Sequence, residues 1–148
     1  MTIFILEMNE LQLTYDEMLD RVEATMYELG TDEFETSSFL CNGLYVRTVF
    51  IPAGSYVTSL IHKTDHPFIL SAGEIIIYTQ AGEQHLKAPF IDVTEAGTRR
   101  FAKAVTDVLW TTVHRTDKTT EEEIEEEVVF ERVKPLKKEY ANTTVIAE

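Results

Sequence analysis

Between residues 43 and 115 the chain breaks into short apolar segments, each with polar positions interleaved and each bounded by turn residues. A two-residue period marks a strand with one buried face, because successive side chains point to opposite sides. The pattern predicts strands at 44–51, 55–62, 66–71, 74–79, 84–91, 99–106 and 108–115. The breaks fall at Pro52-Ala53-Gly54, Ser71-Ala72-Gly73, Gln80-Ala81-Gly82 and Glu95-Ala96-Gly97. Many short strands at near-regular spacing argue for a sandwich or barrel. No helical pattern interrupts them, which argues against a parallel α/β sheet.

The flanks carry a different period. Thr14 and Glu17 have capping-box spacing, Met18, Val22, Met26 and Leu29 form an apolar stripe, and Gly30 stands at a C-cap, so a helix is expected over 14–29. Its stripe is expected to pack on the outside of the barrel or on a second subunit. A second helix is expected over 119–131, opened by Thr119 and Glu122. Its glutamates, Glu121, Glu122, Glu123, Glu125, Glu126 and Glu127, surround Ile124 and read either as a cation-collecting surface or as a solvated face favoured at a helix N-terminus. The segment after Pro135 is polar. The expected organisation is an N-terminal segment over 1–42, a β-barrel over 43–115, and an acidic helix and polar tail over 116–148, making one compact domain.

Composition narrows the setting. With 148 residues, 44% of them apolar, the chain can bury a core. A net charge of −13 disfavours nucleic-acid and anionic-membrane partners, since the densest basic group, Lys134, Lys137 and Lys138, lies beside acidic residues. No apolar run reaches the length of a membrane span, and MTIFILEMNE lacks the basic start and cleavage site of a secretory signal. The single Cys41 requires no oxidising compartment and has no histidine near it in sequence to make it a nucleophile. A cytoplasmic protein is expected. Neither a phosphate loop nor a dinucleotide fingerprint is present.

One stretch carries a resemblance. Gly54, Leu60, His62, His66 and Gly73 reproduce the spacing of the first cupin motif: Gly, five residues, His, one residue, His, three residues, Glu, six residues, Gly. Leu60 stands in the first histidine place and His66 in the glutamate place. The second motif ends in Pro, any residue, Gly, two residues, His, and is matched by Glu95 through Arg100, with Gly97 kept and Arg100 in the histidine place. Residues 43–115 thus resemble a cupin. The resemblance implies a jelly-roll barrel with a polar site inside, of the kind found in dioxygenases, isomerases, epimerases and lyases. The succession His62, His66, Gly73, Ala88-Pro89-Phe90 and Trp110 through His114 is also similar to small cupin-like proteins of tailed bacteriophages.

The candidate chemistry follows from parity along the strands. Tyr56, Thr58, Leu60 and His62 share a face if 55–62 is one strand, and His66 opens the next. Two neutral imidazoles close together can bind a divalent metal, and a reactive metal site keeps three protein ligands with open positions. Arg100 cannot be the third ligand, because guanidinium stays protonated. Trp110, Thr112 and His114 share one face, which makes His114 the best third ligand. His85 is a weaker candidate, and Asp65 and Glu74 could add oxygen. Iron, manganese, nickel or zinc would suit such a set; a hydrogen-bonded histidine pair without metal is the other reading.

Arg100, if it faces inward, calls for an anionic ligand or a structural partner such as Glu95 or Asp92. Tyr56, Trp110 and Phe68 either line a ligand pocket with it or belong to the core. Three functions remain open: a metal-dependent cupin enzyme acting on a small polar or anionic molecule, a metal-free ligand-binding module, and a structural or assembly protein of a phage. A homodimer is expected, since cupin-like sandwiches pair through sheet edges.

Overall fold

The computed structural model describes residues 14–29, 34–59 and 61–129. The described residues fall into two compact units. One contains the first helix, α1 (Tyr15–Leu29). Thr14 Oγ1 accepts a hydrogen bond from Glu17 N at 3.2 Å, so the expected cap is present. Leu19, Val22 and Glu23 are buried and Met18 and Met26 half-buried, so the covered face is turned toward Leu19 from the expected stripe. The Leu29 side chain, Gly30, residues 1–13 and the tail beyond 129 lie outside the described residues.

The other unit is built of nine strands and one helix among the described residues: β1 (Thr36–Cys41), β2 (Leu44–Ile51), β3 (Tyr56–Thr58), β4 (His66–Ala72), β5 (Glu74–Thr79), β6 (Gly82–Lys87), β7 (Phe90–Thr94), β8 (Phe101–Ala104), β9 (Val108–Arg115) and α2 (Glu121–Val128). They form a five-stranded sheet, β1-β2-β9-β4-β7, and a four-stranded sheet, β3-β8-β5-β6. All pairings are antiparallel. Neighbours in space are mostly distant in sequence, as in a jelly roll.

The two sheets share one core. Val49, Ile51, Phe68, Leu70, Val108 and Trp110 come from the first sheet, and Val57, Ile75, Ile77, Ala102 and Ala104 from the second. Burying each large side chain stabilises the fold by roughly 1.5–3 kcal/mol. The Phe68 and Trp110 rings stack with centroids 4.3 Å apart.

Alternation located most strands, and the exceptions have physical reasons. β1 is exposed along its whole length, so it carries no buried face for a pattern to record. The expected strand 84–91 is two strands in different sheets, β6 and β7, divided at the corner made by Ala88 and a cis Pro89. The expected strand 55–62 ends at Thr58, Leu60 lies outside the described residues, and His62 belongs to an isolated bridge with Val129. α2 begins at Glu121 and ends at Val128, inside the expected 119–131, because Thr120, not Thr119, caps it by accepting from Glu123 N.

At Gly73 the chain turns between β4 and β5 with φ +91°, and a Cβ there would overlap the Asp107 carbonyl oxygen. This turn seats Glu74 against Thr106, whose Oγ1 accepts from Glu74 N at 2.9 Å.

Candidate metal centre and its pocket

The inward face of the five-stranded sheet is polar at one end and apolar further in. On β4, His66, Phe68 and Leu70 are buried and alternate with more exposed neighbours. On β9, Trp110, Thr112 and His114 do the same. The register pairs Leu70 with Trp110 and Phe68 with Thr112. Two residues further along each strand stand His66 and His114, their ring centroids 4.3 Å apart.

His62 arrives from a different direction. Its segment is held by the bridge to Val129, by Gly97 N donating to His62 O at 2.9 Å, and by Lys63 N donating to Val128 O at 2.6 Å. Its ring centroid lies 4.5 Å from that of His66 and 4.9 Å from that of His114. All three rings are buried, with 3%, 2% and 5% of their residue surface exposed for His62, His66 and His114. One nitrogen from each lies within 4.8 Å of the others.

This donor set fits a divalent transition metal. Three nitrogens around one tetrahedral ion at ~2.1 Å stand roughly 3.4 Å apart, so small side-chain rotations would draw the rings onto an ion. The His66 Nδ1 lies 3.3 Å from Thr64 O. A carbonyl only accepts, so this contact is made by the tautomer with its hydrogen on Nδ1, the one that could present Nε2 to an ion.

A pocket of about 150 Å³ opens beside the triad, lined by His62, Thr112 and His114 together with Tyr45, Arg47, Glu121 and Glu125. Tyr45 and Arg47 face His114 and Thr112 across the β2–β9 ladder. Helix α2 forms the opposite wall, its buried Ile124 and Val128 packing with Tyr45. Glu121 Oε1 accepts from Ser38 Oγ at 2.8 Å and from Tyr45 Oη at 3.1 Å. The Ser38 and Tyr45 hydrogen bonds hold the Glu121 carboxyl below its usual pKa, while burial raises that of the Tyr45 phenol. Lys63 Nζ, donating to Glu126 O at 2.9 Å, ties the far end of the helix.

Of the residues singled out in the sequence, His62, His66 and His114 come together. Arg100 does turn inward and is buried, but deeper in the barrel: its guanidinium lies 5.6 Å from the Phe68 ring and 5.5 Å from the Trp110 ring, and Nη2 donates to Thr94 Oγ1 at 3.0 Å. Thr94 is one partner of this guanidinium, for which the sequence had suggested Glu95 or Asp92. Trp110 is core. Tyr56 sits on the opposite side of β3 from the core residue Val57 and stacks on Phe101, so counting parity from Tyr56 to His62 fails where the strand ends. None of Arg100, Trp110 and Tyr56 lines this pocket.

The secondary candidates lie elsewhere. His85 is exposed, with Glu83 3.3 Å away. Asp65 accepts from Ala96 N at 2.7 Å and braces a turn, Glu74 faces Lys87 at 3.5 Å, and Cys41 is exposed.

Sequence reasoning missed Tyr45 and Arg47, and took Glu121 and Glu125 only as part of an acidic helix face. Two signals pointed to them. Arg47 shares the inward parity of Tyr45, Val49 and Ile51 on β2, and Glu121 and Glu125 flank the Ile124–Val128 stripe of α2.

No family model matches the chain, and no curated protein does. Solved structures do. Ectoine synthase from P. lautus matches with a TM-score of 0.53 at 15% identity, covering 70% of this chain and 78% of that one. A cupin superfamily protein from Desulfitobacterium hafniense matches at 0.49 and 9% identity, covering 59% and 81%. A cupin-2 domain protein from Shewanella frigidimarina matches at 0.48 and 17% identity, covering 60% and 87%. Among the described residues no helix is long and apolar enough to cross a membrane. Two packed antiparallel sheets, the glycine turns and a solved neighbour above 0.5 agree: the barrel of this chain has the cupin jelly-roll fold, with three histidines inside it that could hold a metal.

Proposed function

We propose that this protein binds a divalent transition metal through His62, His66 and His114 and acts as an enzyme on a small polar molecule that enters the pocket beside them. The observation that supports this most directly is the convergence of three buried imidazoles, two of which, His62 and His114, line the pocket. A metal so held supplies Lewis acidity and lowers the pKa of bound water, which suits addition, elimination or isomerisation at a polar carbon. The protein's own groups then have defined tasks. Thr64 fixes the His66 tautomer, while Tyr45, Arg47 and Thr112 offer hydrogen bonds along one wall. In the same reading the protein works as a homodimer in the cytoplasm, that of the host if a phage carries it.

The test is elemental analysis and metal titration of protein purified without a histidine tag. About one equivalent of iron, manganese, nickel or zinc per chain is expected, lost when His66 and His114 are both replaced by alanine. A protein that takes up none of these ions overturns the metal reading. It would leave a metal-free binding module, the second reading, which is favoured by Arg100 occupying the place of a motif histidine and being held by Thr94.

A further inference from the structure

We propose that the pocket beside the histidines takes a small molecule bearing a protonated amine, whose ammonium lies against Glu121 and Glu125 while its other end points to Thr112 and the triad. The inference rests on reading this pocket as the ligand site, and it deepens that reading by naming the ligand's charge.

The lining decides the sign. It holds two carboxylates, Glu121 and Glu125, against a single cation, Arg47. Glu121 is an ionised acceptor at neutral pH, since both Ser38 and Tyr45 donate to its Oε1. Arg47 acts electrostatically on Glu121, so its charge is partly spent on that wall. The group that favoured an anionic ligand from sequence, Arg100, stands away from this lining, between aromatic rings and Thr94. At the α2 wall, the end of the pocket away from the triad, an anion would lie against two carboxylates and be repelled, whatever positive charge an ion at the histidines adds at the other end.

A second feature points to a ligand independently of the carboxylates. Thr112 is 2% exposed, lines the pocket, and its hydroxyl makes no hydrogen bond among the described residues. A polar group on a molecule bound in the pocket would pair with this hydroxyl. The size also sets a limit. A cavity of about 150 Å³ accommodates a molecule of about six heavy atoms.

Three probes of that size separate the possibilities: 4-aminobutan-1-ol, butane-1,4-diol and butyrate. Their binding to the full chain is measured by titration calorimetry at pH 7, on both metal-loaded and metal-free protein. The amino alcohol is expected to bind at least tenfold more tightly than the diol, with butyrate weakest. Glu125→Gln, on the exposed side of the helix, is expected to reduce the amine-to-diol preference to threefold or less with metal content unchanged. Glu121→Gln combined with Glu125→Gln should remove the preference, with circular dichroism confirming that the fold persists. Butyrate binding as tightly as the amine, no measurable binding of the amine, or an unchanged preference in the folded double variant overturns the proposal. Metal content is read separately. Amine preference without metal uptake sinks the metal reading alone, and metal uptake with butyrate preference sinks this inference alone.

Discussion

His66 and His114 stand on neighbouring antiparallel strands with their ring centroids 4.3 Å apart, one inward position beyond the Phe68–Thr112 pair. The sheet itself therefore sets the spacing of two of the three candidate ligands, and each strand continues directly into the aromatic core. Rigid strands hold such a pair better than loops do.

Replacing either His66 or His114 by alanine should lower affinity for a divalent transition metal at least a hundredfold. Loss of groups that merely orient a metal ligand already costs about 10–100-fold, and a ligand contributes more. Competition titration with a chromogenic chelator measures the change. Affinity within threefold of the wild type would remove these two residues from the site.

Trp110 is 2% exposed and stacked on Phe68, so Trp110→Ala should cost about 3–5 kcal/mol of unfolding free energy. Denaturant unfolding reads this directly. A loss under 1 kcal/mol would mean that the core does not depend on this stack.

Gly73→Ala should destabilise by about 2–3 kcal/mol or more, combining positive-φ strain with overlap on the Asp107 carbonyl. Gly54→Ala provides the control: φ is +83° there, but nothing lies within 4 Å of the added carbon. It should cost only about 1–2 kcal/mol. Equal losses at the two sites would contradict the close approach at Gly73.

The Glu121 carboxyl has a folded pKa below the ordinary glutamate value of 4.5, chiefly through the Ser38 hydrogen bond and then through Tyr45. A lowered acid pKa contributes stability that is fully present above the unfolded value and lost as pH falls through the folded one. The wild type should therefore lose stability between about pH 5 and the lower folded pKa more steeply than Glu121→Gln. Thermal melts across pH 3–7 compare them, and parallel curves would sink the assignment. At alkaline pH the signs reverse. The raised pKa of Tyr45 contributes stability below its unfolded value of 10.0, lost as pH rises through the folded value.

His66 and His114 were legible because strand parity constrains them strongly, whereas His62, beyond the end of β3, was reached through the motif spacing. His114 shares a parity with Trp110, and His66 opens a strand whose alternation is clean. Tyr56 was misplaced because parity counting assumes an unbroken strand, and β3 ends at Thr58. Arg47 went unremarked within β2, although a charge at an inward position is itself a signal. The role of α2 was hidden for another reason. A helix with two buried positions among glutamates reads locally as a solvated one, and only the distant partners Tyr45 and Ser38 reveal that it is docked.

The isolated bridge between His62 and Val129 has a mechanical consequence. The peptide that carries one imidazole of the triad is stitched by its backbone to the end of the outer helix, with Lys63 N on Val128 O as a second stitch. Lifting that helix off the barrel mouth would tug on His62 while leaving the strand-borne His66 and His114 where they are. One third of the candidate donor set is thereby wired to the molecular surface, so any ion held there would be gripped through the same backbone that seats the helix.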